Sequence, residues 1–153
     1  VARIAVISDT HGNLPESEID YLSNFDEIWH LGDFADPSLL HATEVIGPPV
    51  VAVHGNCDYG VSLPEARRLT RDGARFYLVH IPPDQIPDTD FLLHGHTHVP
   101  RDERVHGVRI LNPGSIGQAN RGAPASWGEL VTDPSGTVEW KIHLVGQVNY
   151  PNS

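Results

Sequence analysis

Short, nearly continuous apolar runs punctuate the first two thirds of the chain, at Arg3 to Ser8, Asp26 to Leu31, Val50 to His54, Arg75 to Val79 and Asp90 to His94. Runs of this length without polar alternation predict strands buried on both faces, as in a sheet covered by helices. The intervening segments agree. Pro15 opens a stretch in which Ile19, Leu22 and Phe25 recur at three-residue spacing, with Glu16, Glu18 and Asp20 near its amino end. That pattern predicts an amphipathic helix whose acids complement the helix dipole. Asp36 and Pro37 have the identities of an N-cap and a first helical residue, and Leu39, Leu40, Thr43 and Ile46 form one face before Gly47 ends a second helix. Pro64 to Leu69 predicts a third, shorter one.

The pattern then changes. Arg104 to Val105 and Val108 to Leu111 flank His106-Gly107, and Trp127 to Thr132 precedes Asp133-Pro134-Ser135-Gly136 and a run from Thr137 to Val145. These predict antiparallel pairs. In the last run Val138, Trp140, Ile142 and Leu144 alternate with Thr137, Glu139, Lys141 and His143, giving one buried and one solvated face. The expected fold is a mixed α/β layered sandwich in one domain over 1–153, with a frayed tail at Asn149 to Ser153. A chain of 153 residues can bury a core without disulfides or a structural metal.

Charge and cysteine usage narrow the partners. Ten Lys and Arg against twenty Asp and Glu give a formal charge of −10, which disfavours gripping a long nucleic acid and favours a small substrate. Bound cations would reverse that balance locally. The lone Cys57 excludes an internal disulfide, and the opening run is strand-like rather than a basic leader, so the cytoplasm is the expected location. No apolar stretch approaches the roughly 20 residues of a membrane helix. Ten histidines matter only if their positions are organised.

They are organised. Each of the early runs leads into side chains that bind metals: Asp9-Thr10-His11, Gly32-Asp33, Gly55-Asn56-Cys57-Asp58, His80 and Gly95-His96-Thr97-His98. In an open α/β sheet the carboxyl ends of the strands share one edge, where distant residues converge. Glycine before three of these groups suits backbones that turn sharply around a packed ion. Any one group is a common turn or cap; the set is not a product of turn preference. Asp9, Asp33, Asn56 and the imidazoles of His11, His80, His96 and His98 form a mixed nitrogen and oxygen donor set. It suits Mn, Fe, Zn, Co or Ni better than Ca. Seven groups exceed one tetrahedral ion, so two ions sharing a carboxylate are expected. At about 3.5–4 Å apart such ions hold a bridging hydroxide and neutralise charge in an in-line displacement at phosphorus.

Asp9-x-His11, Gly32-Asp33, Gly55-Asn56-Cys57-Asp58, His80, Gly95-His96-x-His98 and Asn112-Pro113-Gly114-Ser115 resemble the calcineurin-like metallophosphoesterases, in particular their small prokaryotic YfcE-like phosphodiesterase branch. The resemblance runs from Val1 to about Trp140 and implies a four-layer αββα sandwich of two mixed sheets flanked by helices. It implies that Asp9, His11, Asp33 and His98 hold one divalent ion while Asp33, Asn56, His80 and His96 hold the other, with Asp33 as the bridge. Manganese is the first expectation and Fe, Zn, Co and Ni the alternatives. Asp33, Asn56 and Asp58 take catalytic roles, and Asn56 and Cys57 meet a small phosphodiester or nucleotide-like substrate.

Two departures from the family pattern carry expectations of their own. Many relatives place a histidine, oriented by the acid at Asp58, where this chain has Cys57. A neutral thiol, with an ordinary pKa of about 8.5, is a weak donor to a departing alkoxide, so diesters with good leaving groups should be preferred over alkyl monoesters. After His80 the chain has Ile81-Pro82-Pro83 and too few residues before the next strand for the helix often found there. The alternatives are a phosphomonoesterase, a nucleotide pyrophosphohydrolase, or a non-catalytic scaffold like the retromer subunit of similar fold. A homo-oligomer is left open.

Overall fold

A computed structural model describes residues 1–56, 58, 60, 62–118 and 123–146. Cys57 and the tail at 149–153 lie outside the described residues. The apolar runs form β1 (Ala2–Ile7), β2 (Glu27–His30), β3 (Val50–Ala52), β5 (Ala74–Val79) and β6 (Phe91–Leu93). The polar-turn pairs form β7 (Arg101–Val105) with β8 (Val108–Asn112), and β9 (Ser126–Thr132) with β10 (Val138–Leu144). The segment predicted as a third helix is instead part of β4 (Ala66–Arg71), paired antiparallel with β5. Only Leu69 of this edge strand packs against the core, so its sequence lacks an apolar run.

Two five-stranded mixed sheets result, with orders β10-β9-β1-β2-β3 and β4-β5-β6-β8-β7. In the first, β1, β2 and β3 run parallel while β9 is antiparallel to β1. In the second, β5, β6 and β8 run parallel, and β4 and β7 close the two edges antiparallel. Period-two alternation sends Ile4, Val6, Trp29 and Leu31 to the space between the sheets, where they meet Phe76, Leu78, Leu93 and Leu111. Trp29 and Phe76 pack edge to face there, their ring centroids 5.2 Å apart.

The opposite face of the first sheet carries Ala5, Ile7 and Ile28, covered by Leu22 and Phe25. Leu22 closes α1 (Glu16–Leu22), and Thr43 is the buried residue of α2 (Pro37–Val45), whose N-cap Asp36 accepts from the Ser38 N–H at 2.9 Å. Pro15 is itself the N-cap of α1, one position earlier than a first helical proline. Each fully buried Leu or Ile here contributes about 1.5–3 kcal/mol.

The fold is α/β with two mixed sheets, as expected, but its fourth layer is not a helix. Among the described residues the outer face of the second sheet, at Leu92, Val108 and Ile110, is covered by Ile86 from the coil 81–90. Pro82, Pro83 and Pro87 remove backbone donors along that coil and prevent a helix. Among the described residues no helix is long and apolar enough to cross a membrane.

Candidate metal centre

The parallel strands place the predicted ligands at one end of both sheets. Asp9, His11, Asp33 and Asn56 follow β1, β2 and β3 of the first sheet, and His80, His96 and His98 follow β5 and β6 of the second. The chain bends hard to bring them together. Asp9, His11, Asp33, His96 and His98 all have left-handed backbones, with φ of 55°, 46°, 64°, 73° and 63°. Asp and His tolerate this region better than most residues, yet each such position costs on the order of 1–3 kcal/mol and persists only where surrounding contacts impose it.

Two donor groups converge. Asp9 Oδ1 lies 3.3 Å from His11 Nε2 and 3.2 Å from His98 Nε2, and the two imidazole nitrogens are 3.1 Å apart. Asp33 Oδ2 lies 3.2 Å from His80 Nε2 and 3.6 Å from His11 Nε2, while Asp9 Oδ1 is 3.8 Å from His80 Nε2. Both carboxylates therefore stand between the two groups. The Asn56 amide, with its nitrogen turned toward them, donates to Asp33 Oδ2 at 3.1 Å and to His80 Nε2 at 2.8 Å. His96 is the outlier. Its ring is exposed and meets the His80 ring edge to face, centroids 5.2 Å apart.

Burial and charge set the protonation. Burial pushes the Asp9 carboxyl up, but hydrogen bonds from His11 and Ser8 and the nearby His80 and His98 outweigh it and hold it below the ordinary carboxylate range. The hydrogen bond to Asp9 raises the His11 imidazole. Burial alone would lower His80, and the contacts with Asp33 and Asp9 reverse that and raise it.

The donor set fits divalent cations. His80 Nδ1 sits 2.8 Å from the Leu31 carbonyl, which accepts a proton only from Nδ1–H. In a neutral ring Nε2 is then a lone pair, and it faces the Asp33 carboxylate. Two acceptors 3.2 Å apart repel unless a proton or a cation lies between them. An imidazole anchored through its other nitrogen to a carbonyl is the usual posture of a metal-binding histidine.

Residues outside the ligand set hold it in place. The Asp58 carboxylate accepts four backbone N–H groups, from Asp33 at 2.9 Å, Phe34 at 2.6 Å, Ala35 at 3.2 Å and Gly55 at 2.7 Å. It ties the Asp33 loop to the Asn56 loop. Asp9 Oδ2 accepts from Ser8 Oγ at 2.6 Å and from the His96 N–H at 3.1 Å, which leaves Oδ1 for the cluster. Ser115 Oγ donates to the Asp9 carbonyl at 2.8 Å, and Asn112 Nδ2 donates to Thr97 Oγ1 at 2.9 Å. Gly55 is required sterically, because a Cβ there would run into the Asp33 backbone N.

Two buried histidines had no assigned role in the sequence. His30 stacks on Phe34 at 3.6 Å, accepts at Nδ1 from the Gly32 N–H and meets Thr10 Oγ1 at 3.2 Å through Nε2. Burial pushes its imidazole down to about 3, so the ring is neutral and supports the Asp33 turn from behind. His94 donates from Nδ1 to the Gly95 carbonyl and receives Arg101 at Nε2, and burial lowers it too. Their only advance signal was position, the end of an apolar run.

Residues 3–133 match the model of the calcineurin-like phosphoesterase superfamily domain. The chain belongs to the calcineurin-like phosphoesterase superfamily. It is 34% identical to a probable metallophosphoesterase of Methanothermobacter thermautotrophicus, over 73% of this chain and 76% of that one. Phosphodiesterase YfcE of Escherichia coli is 28% identical over 86% of this chain and 88% of its own. The YfcE structure superposes with a TM-score of 0.73 at 24% identity, covering 94% of this chain and all of YfcE; Vps29 of Chaetomium thermophilum reaches 0.75 at 19%, covering 95% and 97%. The two structural likenesses establish the fold. Family and donor set together make this a metal-dependent phosphoesterase.

Proposed function

We propose that the chain hydrolyses small phosphodiesters with two divalent ions, manganese first among Mn, Fe, Zn, Co and Ni. Asp9, His11, Asp33 and His98 hold one ion, and Asp33, Asn56, His80 and His96 hold the other. The carrying observation is His80, anchored at Nδ1 to the Leu31 carbonyl so that its Nε2 lone pair faces the Asp33 carboxylate. Asp33 as the shared ligand accords with the position of its Oδ2 between His11 and His80. When bound, the ions supply Lewis-acid polarisation, charge neutralisation and activation of water. Asn56 stands exposed at the mouth, where it can meet both an ion and a substrate phosphoryl oxygen. Asp58 acts on the reaction by fixing Asp33 and Gly55 rather than by touching substrate.

Substrate preference follows from position 57. A thiol there protonates a leaving alkoxide poorly, so aryl diesters should be cleaved well and alkyl monoesters poorly. The formal charge of −10 favours small substrates over long nucleic acid, and the lone cysteine accords with a cytoplasmic location. Elemental analysis followed by a metal-resolved panel of aryl diesters, aryl monoesters and cyclic nucleotides tests the proposal. Asp33→Ala should lose both metals and all turnover. An intact protein that takes up no divalent ion would overturn it, and equal monoester and diester rates would overturn the leaving-group preference. The likeness in fold to Vps29 keeps a scaffold role as the second reading, which metal uptake without turnover would favour.

A further inference from the structure

A cavity of about 320 Å³ opens directly beside His80 and Asn56. Its size is at the small end of ligand pockets. Its lining combines the apolar Val79 and Ile81 with the ionisable His54 and Glu65. The fold brings these residues together. Ala66 pairs with Val79 at the end of the β4–β5 ladder, so Glu65 and His80 leave the sheet at the same place. The His54 N–H donates to the Pro64 carbonyl at 2.8 Å, which ties His54 to the segment that carries Glu65.

Ile81 is unusual in its exposure. It is 50% exposed, one of four large apolar side chains so placed among the described residues, and it follows His80 directly. Pro82 comes next, and a residue before proline is restricted to extended backbone. Ile81 is thus held at the rim by chain stiffness while its side chain keeps an apolar surface in water, a cost that a bound apolar group would relieve.

We infer that this cavity is the subsite for one ester group of the phosphodiester, and that it selects an uncharged, ring-sized group with polar substituents, such as an aryl or nucleoside alcohol. The inference rests on the proposed phosphodiesterase activity. Ile81 and Val79 cover one face of the ring, and Glu65 and His54 offer hydrogen-bonding partners to its polar edge. Glu65 also repels an ester group that bears a carboxylate or a further phosphate.

The test uses the metal-loaded full chain and two symmetric substrates, bis(4-nitrophenyl) phosphate and its bis(2-carboxy-4-nitrophenyl) analogue. Because both ester groups are alike, the outcome does not depend on which departs. Wild type should prefer the uncharged substrate by kcat/KM. Glu65→Gln should narrow that preference about tenfold, mainly through KM for the carboxylated substrate. Ile81→Ser should raise KM for the uncharged substrate about fivefold with kcat changed less than about twofold and metal content unchanged. A merely structural role would move both substrates together. If both variants turn over and keep the wild-type ratio of the two substrates, the subsite is overturned. If wild type binds no metal and cleaves neither, the phosphodiesterase reading falls, and the subsite with it.

Discussion

Asp58→Asn probes how the centre is held. The wild-type carboxylate accepts two backbone N–H groups at each oxygen: Asp33 and Gly55 at Oδ2, Phe34 and Ala35 at Oδ1. Asparagine keeps one acceptor oxygen and sets an NH₂ where the other stood. Two buried N–H groups then lose an acceptor and face a donor instead. Hydrogen bonds to a charged group contribute about 1.5–3 kcal/mol each, so losing two costs about 3–6 kcal/mol. A domain of this size has about 5–15 kcal/mol of stability, so the variant should fold with a much reduced margin. Urea unfolding of the metal-free protein, followed by tryptophan fluorescence, should show the midpoint lowered by about 2 M for an m-value near 2 kcal/mol/M. Metal affinity should fall as well, because Asp33 loses its anchor. A variant with the wild-type midpoint and affinity would refute the reasoning.

Three further outcomes are expected. His30, held near 3 by burial, stays neutral while the unfolded chain takes up a proton below its ordinary value of about 6.5, so stability falls with pH between those values. Wild type should lose about 2 kcal/mol more than His30→Gln between pH 7 and 5, read from urea midpoints; equal losses would count against it. His11 and His80 are raised, the first by its hydrogen bond with Asp9 and the second by Asp33 and Asp9 against the effect of burial. Their protons stabilise the metal-free fold below the ordinary imidazole value and that gain fades as pH rises through the raised values. Metal must displace these protons, so calorimetry in buffers of different ionisation enthalpy should show proton release and an affinity that climbs with pH. Gly95→Ala places a Cβ 2.7 Å from Asp9 Oδ2 and closer still to Ser8 Oγ. Titration should show metal affinity reduced at least about tenfold with far-UV circular dichroism unchanged, since an oxygen of Asp9 must shift.

The central strands were legible because parallel strands buried on both faces write themselves as apolar runs, and β1, β2, β3, β5 and β6 do so. β4 was not. Ala66 to Arg71 is an edge strand with three arginines, and Pro64 ahead of it imitates a helix start. The missed signal was Asp72-Gly73, a two-residue hairpin with φ of 49° and 80°, of the same kind as His106-Gly107 at 51° and 81°, which was read correctly. Beyond the two hairpins β7–β8 and β9–β10, strand order and pairing left no trace, since β9 joins β1 across more than a hundred residues. In the site, residue types and strand ends pointed to residues that the fold brings together: the side chains of six of the seven predicted ligands lie within 3.8 Å of another, while the His96 ring stands apart and only its backbone N–H meets Asp9. The left-handed backbones and the supporting roles of His30, His94 and Asp58 depend on which loops meet, and that is a property of the packed molecule.

Four of the predicted ligands hang from one sheet and three from the other, so the centre fastens the two like a rivet at one end of their seam. Sliding the sheets by a fraction of an ångström changes the spacing of both donor groups at once. Substitutions that repack Trp29 against Phe76, which touch no ligand, should therefore alter catalysis as well as stability.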